Sequence, residues 1–109
     1  MKKVILLMVA VLFMATNGLS AKDIESTLKV EGACSMCKSR IEKAAKSVKG
    51  VTTAEWNKET KVLKLAFDSD KAKLETISKT IAKSGYDTAN DKASDKVYNA
   101  LPECCHYRK

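Results

Sequence analysis

The chemistry in this chain is concentrated in two short clusters. One is Cys34 and Cys37, within Glu31-Gly32-Ala33-Cys34-Ser35-Met36-Cys37-Lys38; the other is Cys104-Cys105-His106 near the C-terminus. Two thiols separated by two residues can hold one metal ion or close on each other as a disulfide. Thiolates select soft ions: Cu(I) and Hg(II) accept two sulfurs almost linearly, whereas Zn(II) wants four ligands. Cys104, Cys105 and His106 also have the ligand types of a metal site. They can complete a centre begun by Cys34 and Cys37, where Zn(II) then becomes acceptable, form a structural disulfide, or act as a separate tail site. A bond between the adjacent Cys104 and Cys105 is disfavoured by strain, and four cysteines leave three connectivities open.

The surrounding elements decide what the first pair can do. Ser26 to Glu31 alternates polar and apolar and predicts a half-buried strand ending at Gly32. Ile41, Ala44, Ala45 and Val48 then recur at i, i+3, i+4 and i+7, one face of a helix that Gly50 stops. The pair therefore sits on a strand-to-helix loop, with Cys37 leaning to the buried side of the first turn and Cys34 in the loop. The helix N-terminus, with Lys38 and Arg40, is expected to lower the pKa of Cys37.

Val51–Trp56 and Val62–Phe67 read as two strands joined by the polar turn Asn57–Lys61, with Leu63, Leu65 and Phe67 facing the core opposite Ala54 and Trp56. Asp68-Ser69-Asp70 offers an N-cap to a second helix with Leu74, Ile77 and Ile81 on its apolar face and Gly85 at its end. Tyr86-Asp87-Thr88 begins a short last strand. The order strand, helix, strand, strand, helix, strand predicts an α+β, ferredoxin-like βαββαβ open-faced sandwich. Ala93, Val97, Ala100 and Leu101 add a short C-terminal helix, ended by Pro102 just before the Cys-Cys-His tail.

Met1-Lys2-Lys3, an apolar run from Val4 to Ala15 and a small, polar exit to Ala21 describe a signal peptide, with cleavage expected after Ala21. The run is shorter than the roughly 20 residues of a membrane-spanning helix. The expected organisation is residues 1–21 as signal peptide, 22–90 as one small domain and 91–109 as a helical extension with a cysteine-rich tail. Export places the protein in the periplasm or otherwise outside the cytoplasm, where disulfides persist. It also implies no stable membrane insertion after cleavage, and a monomer is expected. Cleavage lowers the formal charge from +7 to about +5. Lysines interleaved with acids along helical faces suit solvated surfaces rather than a nucleic-acid groove.

Val30…Cys34-Ser35-Met36-Cys37 entering a helix, Gly50-Val51 after it, the Val62–Phe67 strand and Gly85-Tyr86 after the second helix together resemble the heavy-metal-associated domain family. The likeness spans about residues 26 to 90. That family includes copper chaperones, modules of copper-exporting ATPases and the periplasmic mercuric-ion-binding protein, whose layout an exported chain of this kind most resembles. Many members carry Gly-Met-Thr before the first cysteine; here Gly32-Ala33 precede it and the methionine appears as Met36, a possible weak third ligand. The Cys-Cys-His tail lies outside the common pattern. The resemblance implies an extracytoplasmic carrier or scavenger of Cu(I) or Hg(II) that hands the ion to a membrane transporter by thiolate exchange. It also implies that Tyr86 lies close to the cysteine loop, where its hydroxyl can hydrogen-bond a thiolate or simply pack.

No Ser/His/Asp constellation is present, His106 being the sole histidine, so no catalytic residue is expected. The alternative is a thiol–disulfide redox protein using the Cys34/Cys37 pair. A thioredoxin-type site normally places a proline opposite the pair, and the sole proline, Pro102, falls beside the second cluster.

Overall fold

A computed structural model describes residues 23–108; the segment read as a signal peptide lies outside the described residues. The elements run β1 (Asp23–Lys29), α1 (Ser35–Lys46), β2 (Val51–Trp56), β3 (Val62–Asp68), α2 (Leu74–Lys83), α3 (Asp95–Asn99) and a 3-10 turn (Glu103–Cys105). β3 is central and antiparallel to both neighbours, giving the order β1-β3-β2. Leu28 and Trp56 both pair with Leu63, and Ala54 with Leu65, so all five side chains turn to one face.

The fourth strand is reduced to one bridge, Val30 with Thr88, flanked by Glu31 N–H to Asp87 O (2.8 Å) and Ala89 N–H to Lys29 O (2.9 Å). Its neighbours explain why it stops. The Asp87 amide donates to the Tyr107 hydroxyl at 2.8 Å, and the Thr88 amide turns back to Asp91 O at 2.8 Å. Donors spent this way cannot extend a ladder. The bridge still lies beside β1, so the ferredoxin-like order is kept in a pared-down form.

α1 and α2 cover one face of the sheet, and Val30, Ile41, Ala45, Leu63, Ile77 and Ile81 form the fully buried centre. α2 starts later than the Asp68-Ser69-Asp70 cap predicts. Lys73 is its N-cap residue, while Asp68 instead accepts the Asp70 amide on its side chain and the Lys71 and Ala72 amides on its carbonyl. This turn satisfies the carboxylate locally before the helix begins. α3 is capped by the Ser94 hydroxyl, and it buries Tyr98 rather than Val97 or Ala100. The Tyr98 ring brings more apolar area and finds aromatic partners in the tail. Among the described residues, no helix is long and apolar enough to cross a membrane.

Candidate metal centre

The cysteine loop rests on Trp56. This ring is almost fully buried, and its Nε1–H donates to the Val30 carbonyl at 2.9 Å. A Cβ built at Gly32 would lie 2.9 Å from the ring's Cη2 and 3.2 Å from the Cys37 Cβ, so the loop passes where only glycine fits. Lys61, in the left-handed region at φ 65°, donates to Gly32 O at 2.6 Å and sits 5.5 Å from the Trp56 ring centre. Lys38 does not face the thiols as an added positive field; it pairs with Glu42 and donates to Trp56 O. Glu42 in turn accepts the Trp56 amide at 2.8 Å.

On this floor Cys34 is the extended N-cap residue of α1, and Cys37 is buried in its first turn. Their sulfurs are 3.4 Å apart, and the Ala33 amide donates to the Cys37 sulfur at 3.4 Å. The C-terminal tail folds back onto the same loop. Cys37 and Cys105 place their sulfurs 2.7 Å apart, Cys34 and Cys104 3.1 Å, and Cys34 and Cys105 3.7 Å. Four of the five expected ligand residues therefore converge. Cys37 and Cys105 form a buried floor, Cys34 is half-buried, and Cys104 is exposed at the rim.

His106 is not brought into this group. Its ring packs on Tyr98 at 5.1 Å, with Nε2 2.9 Å from the Leu101 carbonyl. The 3-10 turn ends at Cys105, and the chain direction changes there, carrying the imidazole to the α3 side. Met36 stands half-exposed on the first turn of α1. Tyr86 is fully buried and its hydroxyl donates to the Cys105 sulfur at 3.4 Å, so its sulfur partner comes from the tail rather than from the loop.

What fixes the tail is a second set of contacts. The Arg108 guanidinium grips the Asp87 carboxylate through two bonds of 3.1 and 2.7 Å, donates to Ala93 O at 2.7 Å, and lies 4.3 Å from the Tyr98 ring centre. Tyr107 donates to Gly85 O at 2.7 Å and stacks on Tyr86. Leu101 fills the space above Gly85, whose φ is +111°; a Cβ there would lie 2.8 Å from Leu101 Cδ2. Sequence reasoning missed Lys61, Asp87, Tyr107 and Arg108, because none belongs to a periodic face or a ligand motif. The one signal near them was the aromatic and basic pair directly after the Cys-Cys-His run.

The thiols are electrostatically unequal, and not in the order helix polarity alone predicts. Burial works against ionisation of Cys34, but donors outweigh it: the Cys104 thiol, the Cys37 amide and the Cys37 and Cys105 thiols together hold it down at about 6. Burial pushes the Cys37 thiol up to about 11, reinforced by its hydrogen bond with Cys105. Cys104 is raised first by its bond to Cys34, and Cys105 by burial. A single first-turn amide, that of Cys37, thus favours the ionised cap residue, while the first-turn cysteine is desolvated. Cys34 is therefore the most readily ionised of the four thiols, an arrangement in which an arriving cation meets the easiest ligand to deprotonate first and displaces protons from the rest.

The heavy-metal-associated domain description matches residues 27–87. The copper chaperone CopZ of Staphylococcus aureus strain MRSA252 is 36% identical over 64 residues, 58% of this chain and 94% of that protein. Among solved structures, oxidised MerP from Ralstonia metallidurans CH34 superposes with a TM-score of 0.59 at 31% identity, covering 62% of this chain and 94% of that one. The water-soluble region of the P-type ATPase CopA from Bacillus subtilis gives 0.58 at 31% identity, covering 64% of this chain and 47% of that one.

Proposed function

The chain belongs to the heavy-metal-associated domain family, and from that premise we propose that it is an extracytoplasmic carrier or scavenger of a soft metal ion, Cu(I) or Hg(II), gripped by Cys34 and Cys37. The observation that carries this reading is the pair itself: two sulfurs 3.4 Å apart on a strand-to-helix loop, with the Cys34 thiol held below its ordinary value. The match to a copper chaperone, and to a domain of a P-type ATPase, supports ion transfer between like modules. Location outside the cytoplasm rests on the apolar N-terminal segment that follows Lys2 and Lys3.

The chain's own residues account for how an ion is taken up and passed on. Cys34 binds first because it ionises more readily than Cys37 and is partly exposed. Cys37 follows, losing its proton to solvent as the ion offsets the cost of burying a charge. A partner's thiolate can then add at the open side of the ion before Cys34 leaves, so transfer needs no free-ion intermediate. Gly32, Trp56 and Lys61 keep the loop in position while ligands change.

A selectivity titration tests this. The reduced protein is offered Cu(I), Hg(II) and Zn(II) against a competing chelator, then assayed for disulfide reductase turnover. Tight binding of Cu(I) or Hg(II) over Zn(II), without turnover, is expected. Weak binding of all three ions with rapid reductase turnover would establish the redox alternative instead.

A further inference from the structure

We propose that residues 91–108 form a latch on this centre: Cys104 and Cys105 bind the same ion as Cys34 and Cys37, so that one thiophilic cation is held by three or four sulfurs and retained until the latch lifts. This rests on Cys34 and Cys37 being the metal grip.

Three observations carry it. The tail does not merely pass near the loop, since the Cys105 sulfur touches that of buried Cys37 and Cys104 reaches Cys34. The Cys34, Cys104 and Cys105 ligand atoms lie within 4.8 Å of one another, close enough to share one ion. Finally, the tail is pinned from beyond the cysteines, by the two-bond grip of Arg108 on Asp87 and by Tyr107 on the Gly85 carbonyl. Those anchoring hydrogen bonds involve no sulfur, so the latch can be loosened without altering a ligand.

The consequence is kinetic as well as energetic. An ion on two loop thiolates is open to an incoming ligand, whereas one closed in by the tail is approachable chiefly at the rim, where Cys104 is exposed and Cys34 half-buried. Each sulfur still protonated when it binds releases its proton to solvent, and Cys104 takes one back as it leaves; no electron moves. Release begins with Cys104 giving way to an external thiolate at the rim.

The test loads the reduced chain with one equivalent of Hg(II), counts sulfur neighbours by X-ray absorption, and times transfer to a competing dithiol. Wild type should show three or four sulfurs. Cys104→Ser with Cys105→Ser should show two and release at least about tenfold faster, as loss of metal-site support commonly costs 10- to 100-fold. Arg108→Ala, which keeps every cysteine, should also release faster, with circular dichroism confirming that it is folded. Two sulfurs in wild type, or unchanged count and rate in the double variant, would overturn the latch while leaving the Cys34/Cys37 grip intact. Arg108→Ala releasing at the wild-type rate would overturn the anchoring. Full binding by Cys34→Ser with Cys37→Ser would instead remove the underlying reading.

Discussion

The sulfurs of Cys37 and Cys105 lie 2.7 Å apart, both without solvent exposure, although 68 positions separate them in the chain. One comes from the first turn of a helix inside the domain, the other from a 3-10 turn at its far C-terminal edge. Their contact makes the tail part of the core, and it places a second pair of thiols where a two-cysteine loop would otherwise face solvent.

Thiol reactivity should follow the electrostatics rather than exposure. With reduced, metal-free protein, iodoacetamide at pH 7 should label Cys34 ahead of Cys104, even though Cys104 is the more exposed. A thiol near 6 is mostly ionised at that pH, and one raised above its ordinary value is not. Cys37, buried and pushed up to about 11, should label last. Peptide mapping by mass spectrometry reads the order; Cys104 reacting first would contradict the assignment of the thiolate.

Gly85 carries both a positive φ and the close approach of Leu101. Gly85→Ala should therefore destabilise the protein by about 1–3 kcal/mol, seen as a lower thermal midpoint. The chain just after α3 should loosen first, since Leu101 there is the neighbour displaced. An unchanged midpoint would mean that the turn tolerates a side chain and that the tail packs differently.

Much of this was legible beforehand, for identifiable reasons. Ile41, Ala44 and Ala45 announce α1 by their spacing, and Leu63, Leu65 and Phe67 announce β3, because burial on one face imposes a period. Cys34 and Cys37 carry a motif whose two-residue spacing is itself the signal. Other features rest on partners distant in sequence. The last strand shrinks to a bridge because Tyr107 takes the Asp87 amide, and no local pattern near Asp87 foretells that. His106 has a ligand's chemistry but not its position, since chain direction after a 3-10 turn cannot be read from residue type. Helix polarity pointed to Cys37 as the thiolate, yet burial of Cys37 and the donors around Cys34 reverse the order.

Trp56 supports the loop by a hydrogen bond as well as by packing. Trp56→Phe keeps a ring in the core but leaves the Val30 carbonyl without its indole donor. The expected cost is about 1–3 kcal/mol, measurable by chemical denaturation, together with weaker metal binding as the Gly32 loop shifts. Full stability and affinity in this variant would show that the indole N–H is dispensable.

Acid should undo the tail's anchor before it undoes the sheet. Burial works against the Asp87 charge, but the Arg108 guanidinium holds its carboxyl below the ordinary carboxylate value. A lowered folded pKa means that this contribution is fully present above the unfolded value of about 3.9 and is lost as pH falls through the lower folded one. The near-ultraviolet signal of Tyr98 and Tyr107 should weaken across that acid range in wild type. In Asp87→Asn the same loosening should already be present at neutral pH. A tyrosine signal in the variant that matches wild type at neutral pH would contradict the role given to this pair.

The proposed grip on a soft ion is the Cys34 and Cys37 pair. Its most direct test is an equilibrium titration of the reduced chain with Cu(I) against a competing chelator, beside the Cys34→Ser, Cys37→Ser variant. One equivalent should bind tightly to wild type, and affinity should fall by at least about 100-fold in the variant, where the thiolate loop is gone. Equal affinity in the two proteins would contradict the account.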